Sequence, residues 1–83
     1  MRQLVLYGRP DCHLCDEARE ILGALVAQAG DIELTERNID EDDHLLRELL
    51  ERIPVIELDG RVIGELVPDP EALARILLNT SAP

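Results

Sequence analysis

The spacing of apolar residues along the chain predicts three helices and four strands. Short apolar or alternating runs, which are typical of strands, occupy residues 4–7, 31–36, 54–58 and 61–64. In three other stretches the apolar residues recur every three or four positions, as on one face of a helix; these stretches are residues 14–29, 45–50 and 73–77. The predicted order is therefore β-α-β-α-β-β-α.

Turn and capping residues separate these elements. Gly30 is expected to end the first helix, Asp40 to cap the second, and Asp69-Pro70 to begin the third. Asp59-Gly60 is a two-residue turn of the kind that joins antiparallel strands. Gly23 lies inside the first helix, where glycine costs up to about 1 kcal/mol relative to alanine, so we interpret it as a point of close packing.

The order of the elements indicates an α/β fold in one domain covering residues 1–83. A right-handed crossover would make the first two strands parallel, and the hairpin would complete a four-stranded mixed sheet with helices on both faces. The alternating polar pattern of the second strand predicts a place near the sheet edge. The tail from Asn79 to Pro83 is expected to fray.

The composition excludes several classes of partner. Eight basic and eighteen acidic residues give a net charge of -10, which disfavours nucleic acid and anionic membranes. Tyr7 is the only aromatic residue, so bases would find no stacking platform. Because no stretch resembles a membrane helix or a signal peptide, we expect a cytoplasmic protein. We also expect it to act as a monomer, without nucleic acid or membrane partners.

The candidate chemistry lies in Cys12-His13-Leu14-Cys15, which joins the first strand to the first helix. The first N–H groups of a helix lack partners within it and favour a nearby anion such as a thiolate. Residues three apart at a helix start lie on one face, close enough for a disulfide, and we expect Cys12 to be the more exposed. The pair therefore suits a thiol that attacks a disulfide and a second thiol that resolves the product.

Other uses of the two cysteines remain open from the residues alone. Structural zinc needs four ligands, and beyond the cysteines the chain offers only His13 and His44, so we predict no metal site. The cysteines could instead be buried apolar thiols in a non-catalytic binding module. A cluster ligated by Cys12 in an iron–sulfur carrier is a further alternative.

A strand, a Cys-x-x-Cys pair opening the first helix and Ile53-Pro54 before the third strand together resemble the thioredoxin fold. The run from Tyr7 to Cys15 is most similar to the glutaredoxins and the small glutaredoxin-like proteins of bacteria. The resemblance covers nearly the whole chain. It implies that Cys12 is the nucleophile and Cys15 the resolving thiol, that Pro54 is a cis-proline, and that the backbone of Ile53 binds the substrate.

The same resemblance makes glutathione a candidate co-substrate, although the chain departs from the family pattern. Arg9 stands where a basic residue helps to hold a carboxylate of glutathione. The family usually has a Gly-Gly pair and then an acidic residue before the last helix, where this chain has Gly64, Glu65 and, at the acidic position, Val67. Because glutathione is anionic, Glu65 and the net charge of -10 should weaken its use and favour protein disulfides.

The expected function is thiol–disulfide exchange on proteins or glutathione adducts, without a bound cofactor. Electrons would come from glutathione or a reductase. Arg9 and a protonated His13 would favour the Cys12 thiolate, whereas neighbouring carboxylates such as Asp11 would oppose them. Tyr7 should lie close enough to the site to tune it.

Overall fold

The computed structural model describes residues 1–78 and confirms the predicted order of elements. The strands are β1 (Arg2–Gly8), β2 (Ile32–Asn38), β3 (Val55–Leu58) and β4 (Arg61–Glu65). The helices are α1 (His13–Ala29), α2 (Asp43–Leu49) and α3 (Pro70–Leu78), with one short 3₁₀ helix at Ile39–Glu41. The tail from Asn79 to Pro83, for which we predict fraying, lies outside the described residues. Within residues 1–78, the helices are too short or too polar to span a bilayer.

The four strands form one mixed sheet in the order β2-β1-β3-β4. Strand β1 runs parallel to β2 and antiparallel to β3, and β4 completes the hairpin with β3. The register pairs Gly8 with Asn38, Tyr7 with Val55, and Val55 with Glu65. One end of the sheet, which we call the site edge, is therefore formed by Asn38, Gly8, Val55 and Glu65.

Helices cover both faces of the sheet, as predicted. Helices α1 and α3 pack on one face over a cluster of buried aliphatic residues that includes Leu4, Leu6, Leu22, Ile56, Leu73 and Leu77. The 3₁₀ helix and α2 cover the other face through Ile39 and Leu49, which pack with Val55. Because the sheet is held from both sides, the ends of its strands are fixed relative to the start of α1.

The predicted cap of the second helix is wrong. The N-cap of α2 is Asp42, whose Oδ1 accepts hydrogen bonds from the N–H groups of His44 (2.8 Å) and Leu45 (3.3 Å). Asp40 instead belongs to the 3₁₀ helix, where its N–H donates to Asn38 Oδ1 (2.9 Å). The apolar spacing of the following residues does not distinguish these two aspartates, since either can accept the free N–H groups of a helix.

Two further expectations are corrected. An alanine Cβ at Gly23 would have nothing within 4 Å, because this residue lies on the exposed side of α1 and is not a close-packing point. Leu50 follows the last residue of α2 and is 43% exposed, so it does not share the buried face of that helix. The cost of glycine inside a helix does not show what covers that residue, and apolar spacing does not show where a helix ends.

The remaining turn predictions are confirmed. Gly30 ends α1 with φ 80°, and Asp59 and Gly60 both have positive φ (49° and 87°), as a two-residue hairpin turn requires. Asp69 Oδ1 accepts the N–H groups of Glu71 (3.1 Å) and Ala72 (3.2 Å) at the start of α3. These caps set the lengths of the helices that hold the site edge.

Candidate active site

The two cysteines lie at the start of α1. Asp11 adopts a left-handed conformation (φ 60°), which aspartate tolerates better than most residues, and turns the chain into the helix. Cys12 is the N-cap, and its Sγ accepts a hydrogen bond from the N–H of Cys15 (3.1 Å). Cys12 and Cys15 are joined in a disulfide, with their Cα atoms 5.2 Å apart. A helix N–H therefore points at the sulfur of Cys12.

The two sulfurs differ in their access to solvent. Cys15 is 1% exposed and belongs to the buried interior, whereas Cys12 is only half-buried. A substrate can therefore reach Cys12, while Cys15 can reach only a sulfur already bound to Cys12. Cys12 is therefore the more exposed of the two cysteines, as the sequence predicts.

Gly8 makes the space in which the Cys15 side chain lies. A Cβ on this residue would be 3.0 Å from Cys15 Sγ and 3.1 Å from Cys15 Cβ, closer than real side chains normally approach. The sequence marks Gly8 only as part of a turn. Its contact with Cys15 depends on how α1 packs over the end of β1, which a local pattern does not encode.

The Ile53–Pro54 peptide bond is cis, as the resemblance implies, and it precedes β3 at the site edge. Pro54 is fully buried. The N–H of Ile53 donates to Leu49 O (3.1 Å) at the end of α2 and is therefore already used. The N–H of Leu66 donates to the carbonyl oxygens of both Pro54 and Arg52 (3.0 Å each). These bonds fix the chain after β4 against residues 52–54, which we call the proline loop.

Gly64 lies one residue inside the site edge. It pairs with Ile56, and a Cβ there would be 3.7 Å from Ile56 and from Leu73, so this position faces the core under α3. The chain beyond β4 instead presents Leu66, with φ 67°, and Val67, which are 47% and 69% exposed. The surface near the proline loop is therefore apolar.

Two of the arginines close to the site edge, Arg9 and Arg52, form ion pairs. Arg9 Nη2 lies 3.2 Å from Asp40 Oδ1, in the 3₁₀ helix. Arg52 Nη2 lies 2.8 Å from Glu65 Oε2, and the neighbouring carboxylate raises the pKa of Arg52. These contacts were not predicted, since the partners come from different elements. The positive charge expected at Arg9 is therefore already compensated.

Tyr7 packs into the protein, whereas His13 lies on its surface. The hydroxyl of Tyr7 donates to Glu57 Oε1 (3.2 Å), and the ring packs with Ile39 and Val55 on the α2 side of the sheet. Burial, followed by the charge and hydrogen bond of Glu57, raises the pKa of Tyr7. The side chain of His13 is 89% exposed, with Nε2 3.7 Å from Glu17 Oε2.

A cleft of about 280 Å³ lies on the β2 side of the cysteines. Its lining includes Gly8, Arg9, Cys15, Arg19, Glu36 and Glu41. Arg19 spans it, with Nη1 2.8 Å from Asp16 and Nε 2.7 Å from Glu36, so the first turns of α1 are tied to the end of β2. Within residues 1–78, no three His, Cys, Asp or Glu side chains are grouped so as to hold a metal ion.

A mixed sheet of this order, a Cys-x-x-Cys pair at the start of α1 and a cis-proline before β3 define a thioredoxin-fold protein. The family model for the glutaredoxin-like domain (DUF836) matches residues 3–77. The chain therefore belongs to the glutaredoxin-like domain family. No functionally curated protein is detectably similar to it in sequence.

Solved structures agree with this assignment. Protein Ne2328 from Nitrosomonas europaea is 33% identical, with a TM-score of 0.75 over 92% of this chain and 91% of its own. Protein XcR50 from X. campestris is 36% identical, with a TM-score of 0.70 over 96% of this chain and 99% of its own. Mitochondrial thioredoxin 3 from Saccharomyces cerevisiae, in its oxidised form, shares the fold at 21% identity, with a TM-score of 0.70 over 94% of this chain and 77% of its own.

We predict that Gly8→Ala destabilises the oxidised protein by about 1–3 kcal/mol, because the new methyl group forces Cys15 or β1 to move. Denaturant unfolding measures this change. Gly23→Ala is the matched control: its methyl group meets open space on a helix, so it should stabilise the protein by up to about 1 kcal/mol. Equal stability of Gly8→Ala and the unmodified protein would contradict the close contact.

We predict that Tyr7 ionises above its ordinary pKa of 10.0 in the folded protein. Since a raised pKa favours the neutral phenol, this contribution to stability is complete below pH 10.0 and is lost as the pH rises through the folded-state pKa. Tyrosinate absorbance reports it cleanly, because the chain has one tyrosine and no tryptophan.

The substitution Glu57→Gln should lower the pKa of Tyr7 only part of the way back, because burial is the larger cause. Glu20→Gln is the control and should leave the pKa of Tyr7 unchanged, because Glu20 is exposed on α1, on the other face of the sheet. A midpoint at or below the ordinary value in the unmodified folded protein would refute the assigned hydrogen bond.

Proposed function

We propose that this protein is a thiol–disulfide oxidoreductase in which Cys12 attacks a substrate disulfide and Cys15 completes the exchange. The observation that carries the proposal is the unequal access to the two bonded sulfurs: Cys12 is half-buried at the helix start, and Cys15 is 1% exposed. The N–H of Cys15 supports the same assignment, since it would stabilise negative charge on Cys12 Sγ.

The exchange transfers two electrons from the dithiol to the substrate disulfide. The Cys12 thiolate bonds to one sulfur of the substrate disulfide, and the other substrate sulfur leaves as a thiolate that takes up a proton. Cys15 then loses its proton and attacks Cys12 Sγ, which releases the second substrate thiol and leaves the Cys12–Cys15 disulfide. A thiol such as glutathione, or a reductase, must supply two electrons to restore the dithiol.

The substrate would bind along the proline loop. Because the N–H of Ile53 already donates to Leu49, the carbonyl oxygen of Ile53 is the group we assign to a substrate N–H. Leu66 and Val67 would contact the substrate next to its cysteine. Gly64 would support this surface from within the sheet, since it pairs with Ile56 and faces the core.

The substrates we propose are disulfides of proteins and glutathione adducts. We propose that the protein works as a monomer in the cytoplasm, where thiol pools keep such dithiols reduced. Because Cys15 lies beside the accessible Cys12, the exchange needs no second chain. These assignments depend on the dithiol being the working form.

The test is to trap the intermediate. The reduced Cys15→Ser variant, mixed with a disulfide-bonded peptide, should accumulate a mixed disulfide at Cys12, because the second attack is blocked. Mass spectrometry detects the added peptide, and turnover with a thiol reductant should fall to the uncatalysed rate for peptide substrates.

Cys12→Ser is the matched control and should form no adduct, since Cys15 is buried. Retained turnover in Cys12→Ser would contradict the assignment of Cys12 as the nucleophile, and an unmodified Cys15→Ser protein would favour a binding module over an enzyme. Either result would remove the basis of the proposal.

A further inference from the structure

Arg9 and Arg52, two of the positive charges near the site edge, form ion pairs within the protein. Arg9 is held by Asp40 (3.2 Å), on the β2 side of the cysteines. Arg52, which immediately precedes Ile53, is held by Glu65 through Nη2 (2.8 Å) and Nε (3.3 Å). An anionic substrate would have to displace an acidic side chain from either of these two arginines before that arginine could give it a charge-assisted hydrogen bond.

The surface left around the proline loop is apolar, with a negative border. Leu66 and Val67, the first two residues after β4, have exposed side chains, and the backbone of Leu66 is fixed by Pro54 and Arg52. Asp11, which precedes Cys12, is exposed. This combination suits a polypeptide with an apolar side chain and a basic side chain close to its cysteine.

The charge of the whole molecule acts in the same direction. A net charge of -10 on 83 residues repels small anions and attracts cations, and the effect on encounter rates falls as ionic strength rises. The two ion pairs add a local contribution, because they compensate two of the cations that could offset this repulsion at the site edge.

We propose that Glu65 and Asp40 are specificity-determining residues: by holding Arg52 and Arg9, they make Cys12 select disulfides of protein segments with a neighbouring lysine or arginine and disfavour anionic small disulfides. The inference rests on the proposed exchange at Cys12 and names its substrate class. Glutathione disulfide, which carries net negative charge, belongs to the disfavoured group.

The experiment measures the second-order rate at which each disulfide oxidises the reduced protein. The substrates are glutathione disulfide, uncharged hydroxyethyl disulfide, and two peptide disulfides that differ only in a lysine or a glutamate beside the cysteine. At low salt the lysine peptide should react roughly tenfold faster than the glutamate peptide, and added salt should shrink that ratio.

The variants are Glu65→Gln and the double variant Glu65→Gln/Asp40→Asn, which free one and both arginines. Each should raise the rate with glutathione disulfide relative to hydroxyethyl disulfide, by about threefold for the single change and up to about tenfold for the double. Using this ratio cancels any general change in the reactivity of Cys12. Circular dichroism verifies that the variants are folded.

Asp31→Asn is the matched control, because it also removes an acid and frees an arginine. Asp31 pairs with Arg2 (2.8 Å) at the opposite end of β1, so the ratio should change little. An equal rise in Asp31→Asn, or no rise in the double variant, would overturn this inference and leave the proposed exchange standing. No reaction of the unmodified protein with hydroxyethyl disulfide would overturn both.

Discussion

The hydrogen bond from the N–H of Cys15 to Cys12 Sγ (3.1 Å) is the interaction on which the site depends. Helix N-caps usually supply a side-chain oxygen for this purpose, from serine, threonine, aspartate or asparagine. Here a sulfur takes that place, so the atom that caps α1 is also the atom that we assign to the chemistry. Because that contact caps the helix, folding and reactivity share one geometric requirement, and the turn at Asp11 and the space at Gly8 both serve it.

The sheet order brings the rest of the site to the same place. Since β3 lies antiparallel beside β1, the proline loop before β3 meets the end of β1, and the end of β4 follows as the next neighbour. The chain thus brings Pro54, Glu65 and Leu66 to the edge at which α1 starts. In our proposal, substrate selection there depends on charge pairing across elements, whereas the exchange depends on the two cysteines and on the helix N–H that points at Cys12.

The sequence predicts the elements, the hairpin and the cysteine pair, because each is encoded within a few neighbouring residues. It misplaces the cap of α2, since Asp40 and Asp42 are both adequate acceptors and only packing of the 3₁₀ helix decides between them. It also misses the contact of Gly8 with Cys15 and the pairing of Arg52 with Glu65, which join residues from different elements. Local patterns therefore predict the elements of this fold, but they do not predict the ion pairs that form between those elements.

The most direct measurement of the central claim is the alkylation of the reduced protein by a limiting amount of iodoacetamide at mildly acidic pH, followed by peptide mapping. If a helix N–H holds the Cys12 sulfur ionised, Cys12 should be labelled faster than the cysteine of an unstructured peptide, and Cys15 should remain unlabelled. Labelling of Cys12 at the peptide's rate, or equal labelling of Cys15, would contradict the account.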